Sequence, residues 1–132
     1  MSYSNNPNSI RAGTGISITP TSGTGSNTIT ISATGTQTLS VRNATETPVE
    51  VTNDDDVVVI QVDPAEDVTV NLPAGVLGRV FNIKDGLGYA SVSDPITIVP
   101  DSGTIDGDTD AVINAPYGSL TLIYNGTEWL IL

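Results

Sequence analysis

The chain has 132 residues, 15 Asp and Glu against 4 Lys and Arg, a formal net charge of −11, and neither cysteine nor histidine. A length of this order fits one domain, or one domain with an arm. The counts exclude disulfides, thiolate metal sites, cysteine nucleophiles and imidazole chemistry, so any enzyme would depend on carboxylates and hydroxyls.

The charge repels nucleic-acid phosphates and anionic lipid surfaces. No apolar run approaches the roughly 20 residues of a membrane-spanning helix. Met1-Ser2-Tyr3-Ser4-Asn5-Asn6-Pro7 carries neither the basic start nor the apolar stretch of a secretion signal, and the expectation is a protein that is cytosolic at synthesis.

Val, Ile and Thr together supply 45 residues, all β-branched and suited to a pleated surface, while 13 Gly and 8 Pro punctuate them. Helical spacing of apolar residues is never sustained, so the chain reads as all-β. The first 37 residues contain no acid and one base, Arg11. Residues 38–132 hold all 15 acids and the other three bases. A Gly/Ser/Thr-rich arm (1–37, charge +1) therefore precedes a domain (38–132, charge −12).

In the arm, Ile16–Thr19 and Thr28–Ser32 alternate with period 2 and predict short strands, each too short to be stable alone. They are expected to pair with the domain or with another chain. Strands are then expected at Thr38–Arg42, Pro48–Thr52, Val57–Val62, Asp67–Leu72, Arg79–Lys84, Tyr89–Val92, Ile96–Val99, Ala111–Ile113, Ser119–Tyr124 and Thr127–Leu132. The continuous run Val57–Val62 suggests a strand buried on both faces. Asp85-Gly86 reads as a turn, and Asn125-Gly126 as a two-residue hairpin loop. The spacing predicts an antiparallel β-sandwich or jelly-roll-like domain with an extended N-terminal arm. The apolar last residue suggests that the fold closes where the chain ends.

The series Asn71-Leu72-Pro73-Ala74, Gly78-Arg79-Val80-Phe81-Asn82-Ile83-Lys84-Asp85, Gly103-Thr104-Ile105-Asp106-Gly107, Tyr117-Gly118-Ser119 and Tyr124-Asn125-Gly126-Thr127-Glu128-Trp129 resembles a β-module of bacteriophage virion proteins. That module stands at the ends of tail fibres and in head fibres and spikes. Ala12-Gly13-Thr14-Gly15-Ile16-Ser17-Ile18 is similar to the lead-in of phage fibre chains. The resemblance covers about half of the chain and implies a homotrimer. Fibres with this module are much longer chains, whereas this one has almost no shaft. That difference favours a small capsid-decorating protein over a tail fibre.

Three clusters are candidate sites. Asp106-Gly107-Asp108-Thr109-Asp110 begins like a calcium loop, but Ala111 and Tyr117 stand where that loop needs Gly and Glu, so it reads as a polar turn. Asn53-Asp54-Asp55-Asp56 reads as a solvated loop, since adjacent like charges resist burial without a cation. Arg79 and Lys84 flank one strand and are placed to pair with carboxylates within the fold or across an interface. Trp129 and Phe81 read as core residues rather than sugar platforms, which disfavours a glycan hydrolase. The Gly-rich runs at 13–15 and 23–25 lack the Lys of a phosphate loop.

The expectation is a non-enzymatic virion protein without cofactor or metal, on the capsid exterior, made in the bacterial host cytoplasm. As a decoration or cement protein it would trimerise and bind the major capsid protein through arm residues Ile10, Arg11, Ile16, Ile18, Ile29 and Ile31. The alternative is the receptor-binding tip of a tail fibre or spike, whose partner is a host surface receptor.

Overall fold

A computed structural model describes residues 37–63 and 67–132, together with the backbone of strands at 16–21 and 28–33. The chain forms two compact units, Met1–Thr38 and Leu39–Leu132.

In the first unit, β1 (Ile16–Thr21) pairs antiparallel with β2 (Thr28–Ala33). The two predicted arm strands thus pair with each other. Neither of the two pairings expected from the sequence, with the domain or with another chain, is needed to give them a ladder. The register sets Ile18 opposite Ile31, Ile16 opposite Ala33 and Pro20 opposite Ile29. Directly opposed residues share a face, so positions 16, 18, 29 and 31 fall on one side of the ribbon. Ile10 and Arg11 lie outside the described residues.

Among the described residues, the second unit holds nine strands in two sheets. These are β3 (Val41–Ala44), β4 (Val49–Glu50), β5 (Val57–Ile60), β6 (Val68–Asn71), β7 (Val80–Asp85), β8 (Ile96–Val99), β9 (Ala111–Ile113), β10 (Ser119–Tyr124) and β11 (Trp129–Ile131). A five-stranded sheet has the order β11-β10-β7-β5-β3, and a four-stranded sheet the order β4-β6-β8-β9.

From β3 to β8 the chain alternates between the two sheets. β3, β5 and β7 are parallel neighbours in one, and β4, β6 and β8 in the other. This is three turns of a flattened β-coil. The winding then reverses: β9 lies antiparallel on β8, β10 antiparallel on β7, and β11 antiparallel on β10.

The all-β, two-layered, sandwich-like expectation holds, but the antiparallel one is corrected. The physical reason lies in the connections. Each strand of the coil passes to the opposite sheet before returning, and a strand that returns after a full turn runs the same way as its predecessor.

The core lies between the sheets. Val58, Ile60, Phe81, Ile83, Leu122 and Trp129 of the larger sheet meet Val49, Val70, Ile96, Ile98 and Ile113 of the smaller. The centroids of the Phe81 and Trp129 rings are 5.4 Å apart, and those of the Tyr124 and Trp129 rings 5.3 Å apart. Tilted pairs at such distances add attraction beyond area burial.

Three local expectations change. Val57–Ile60 is not buried on both faces: Val58 and Ile60 are buried, Val57 and Val59 half-buried. Tyr89–Val92 is not a strand, because the Ala90 amide donates to the Asp85 carboxylate instead of a ladder. The β10–β11 connection has four residues, not two. The Asn125 side chain accepts the N–H groups of Thr127 and Glu128, an Asx turn that widens the loop.

Candidate interaction surface

Strand parity decides which side chains enter the core and which form the outer surface. On the larger sheet Arg42 and Ala44 share the inward parity with Val58 and Ile60, and Asp85 shares it with Phe81 and Ile83. Two charged residues therefore point inward.

Arg42 sits in the first turn of the coil. Its Nε and Nη2 donate to the two oxygens of Asp55, each at 2.8 Å, and Nη2 also donates to the Glu50 carbonyl in the other sheet at 2.9 Å. Asp55 is 4 % exposed and accepts the Thr52 amide as well. The Arg42 hydrogen bond, reinforced by Thr52, outweighs desolvation and holds Asp55 below the usual carboxylate range.

Asp56 accepts the Ser40 amide and an Nη1 hydrogen bond from Arg79. The Ser40 amide first, and then Arg79, hold it below the same range. Arg79 also donates to the Asn53 and Asp55 carbonyls and lies over the Phe81 ring at 4.7 Å. The expectation of a solvated Asn53–Asp56 loop is thus corrected for Asp55 and Asp56. The cation that permits burial is a guanidinium from a neighbouring strand. Asn53 and Asp54 remain exposed.

Asp85 is 2 % exposed. Its carboxylate accepts four backbone amides, from Leu87 (3.2 Å), Gly88 (3.0 Å), Ala90 (3.0 Å) and Tyr117 (3.0 Å). Burial alone would raise its pKa, and is the largest single influence. The amides together more than offset it and leave the group below the usual range. It pins the loop after β7 to the loop before β10. Gly86 follows because the chain passes close to β5: a Cβ there would stand 2.5 Å from Val59 Cγ1 and 2.9 Å from the Ile60 carbonyl oxygen. Sequence reasoning missed the roles of Arg42 and Asp85. The signal was parity, since each continues an inward-facing alternation.

Asp106–Asp110 forms a turn in which Ile105 and Asp108 exchange backbone hydrogen bonds, and Asp106 accepts the Ile131 amide. Asp106, Asp108 and Asp110 are exposed. Lys84 donates to the Tyr117 carbonyl rather than to a carboxylate.

The two outer faces differ in chemistry. The smaller sheet shows Glu50, Thr69, Asn71 and Thr97 with Val99 and Val112, and the Asn71 amide donates to Glu50 at 2.6 Å. On the larger sheet one outward row reads Val41–Val57–Asn82–Thr121, the next Asn43–Val59–Lys84–Ser119, and a third Val80–Ile123–Leu130. Asn82 donates to the Thr121 hydroxyl at 2.7 Å. Val41 is 62 % exposed, and Val76, Leu77, Leu39 and Leu132 are also exposed. No Asp or Glu occupies an outward position within these five strands. In a chain with 15 acids, this aliphatic face free of carboxylates is the candidate interaction surface.

The chain matches no family model and no curated protein sequence.

Proposed function

We propose that the protein is a bacteriophage virion component of the capsid exterior, a homotrimeric decoration protein that docks on the major capsid protein through its N-terminal unit. The observation that carries this reading is the division of labour along the chain. A small hairpin unit with four Ile positions on one ribbon face precedes an acidic two-sheet unit whose outer surface includes a carboxylate-free aliphatic sheet.

A ribbon of this kind can add to a sheet edge on the shell, with main-chain hydrogen bonds giving affinity and alternate side chains giving register. Ile10, Arg11, Ile16, Ile18, Ile29 and Ile31 are the docking residues in this reading. Repetition over the shell multiplies weak contacts. The resemblance of residues 71–132 to the phage virion module supports the same reading.

Deletion of residues 2–33 tests it. The truncated protein should keep its folded domain and its oligomeric state yet lose binding to undecorated capsids in a co-sedimentation assay. Undiminished decoration would sink the proposed docking role. A tail-fibre or spike tip is the second reading, and the loops at 85–89 and 101–110, where Tyr89, 101–103 and 106–110 are exposed, would then meet the host receptor. Copy number separates the two: hundreds per particle mean decoration, a few tens at the tail mean a fibre tip.

A further inference from the structure

We infer that the outer face of the five-stranded sheet is buried against further copies of this chain around the threefold axis of the trimer, which rests on and deepens the self-association part of the proposed function. Two molecules that each carry −11 repel, and a contact through acidic surface would crowd carboxylates. The turn at Asp106–Asp110 and the Glu50 side of the smaller sheet present such surface. The larger sheet presents none: its outward strand positions carry one charge, Lys84, and that ammonium is engaged by the Tyr117 carbonyl. A basic partner would be drawn to the acidic surfaces, so this face selects a partner that is itself neutral and aliphatic where it touches. A second copy brings such a face.

Geometry supports the choice. Val41, Val57, Val59, Val80, Ile123 and Leu130 are set in cross-strand rows, as the inner faces of packed sheets are. Asn82 donates one amide hydrogen to the Thr121 hydroxyl within the sheet, so burying their row keeps that hydrogen bond.

The test uses the full-length protein. Sedimentation equilibrium measures the mass of the wild type, of Val57→Glu and of Ile123→Glu, with Thr97→Glu on the smaller sheet as the control. Far-ultraviolet circular dichroism and near-ultraviolet Trp signals establish that each variant is folded. An oligomeric wild type, an oligomeric Thr97→Glu protein and folded monomers for Val57→Glu and Ile123→Glu are the expected result, with self-affinity reduced at least 100-fold. Should either variant not fold, Val80→Cys gives the second measurement. The chain has no other cysteine, and an interface through this face predicts that this thiol is protected from a maleimide reagent in the oligomer, whereas full labelling of the oligomer would overturn it. Oligomers that persist in both charged variants would overturn the inference and leave the decoration reading standing. A monomeric wild type that still coats capsids would assign the face to the capsid protein. A monomeric wild type that does not bind capsids would defeat both.

Discussion

Replacing Asp85 by Asn exchanges one acceptor oxygen for an NH2 group. Each carboxylate oxygen receives two amides, so whichever one is replaced, two N–H donors are left facing a third donor. Buried donors without an acceptor carry their desolvation cost, and hydrogen bonds to a charge are the stronger kind. Asp85→Asn should therefore lower unfolding free energy by about 3 kcal/mol, read from urea titration with Trp129 fluorescence. Asp85 and Asp55 are both held below the usual carboxylate range in the folded state. As the pH falls, the unfolded chain takes up these protons first. The stability they supply is complete above the ordinary carboxylate pKa of about 4 and is lost as pH falls through the lower folded values. The urea midpoint should hold steady from neutrality to about pH 5 and fall below pH 4, with a shallower acid slope in Asp85→Asn.

Among the elements, the first turn of the coil shows how an open edge is finished. β3 has no neighbour on its far side, and β4 none on its own, among the described residues. Arg42 reaches inward from β3 and ties Asp55 and the Glu50 carbonyl together across the end of the core. An inward charge on an edge strand blunts the edge as a template for further strands. Arg42→Met keeps the aliphatic stem but leaves Asp55 without its countercharge. A fully buried broken pair would cost about 3–5 kcal/mol, but the Arg42 side chain is 39 % exposed, so about 2 kcal/mol is expected after solvent screening. Differential scanning calorimetry of the variant against wild type measures it.

These elements also mark what could be read from the sequence. Strand positions from alternation were legible at β6, β7, β8 and β10, and so was the burial of Phe81 and Trp129. The parallel coil was not. Val41 pairs with Val57, 16 positions on, but Val57 pairs with Asn82, 25 positions on; in the other sheet Val49 pairs with Val70 and Val70 with Ile98. Turns of unequal length leave no fixed period to detect. Of the candidate surface, the aliphatic residues were visible one by one, but their gathering on one acid-free face depends on pairings between distant strands. The burial of Asp55 was hidden for the same reason. Its neighbours in sequence are acids, while its partner stands 13 residues earlier on another strand.

For the whole molecule, net charge decides the response to salt. Residues 38–132 hold 15 acids and three bases, and two ion pairs are formed among the described residues. Added salt weakens those pairs, but it also screens the repulsion within a stretch in which acids outnumber bases by 12. The repulsion is the stronger of the two effects. Raising NaCl from about 20 mM to about 200 mM should therefore raise the urea midpoint and strengthen self-association. A falling midpoint would mean that the ion pairs dominate.

The reversal of the coil has a consequence for how the domain is born. During synthesis the turns from β3 to β8 emerge first, each able to lie on the one before. Phe81 emerges with them, but the indole that covers it belongs to β11, and the strand that pairs with β7 is β10. Until residue 131 has left the ribosome, the nascent coil carries an unpaired β7 edge and a half-covered aromatic core. Completion of the domain therefore waits for its C-terminal hairpin, and the last step of its folding cannot precede the synthesis of Ile131.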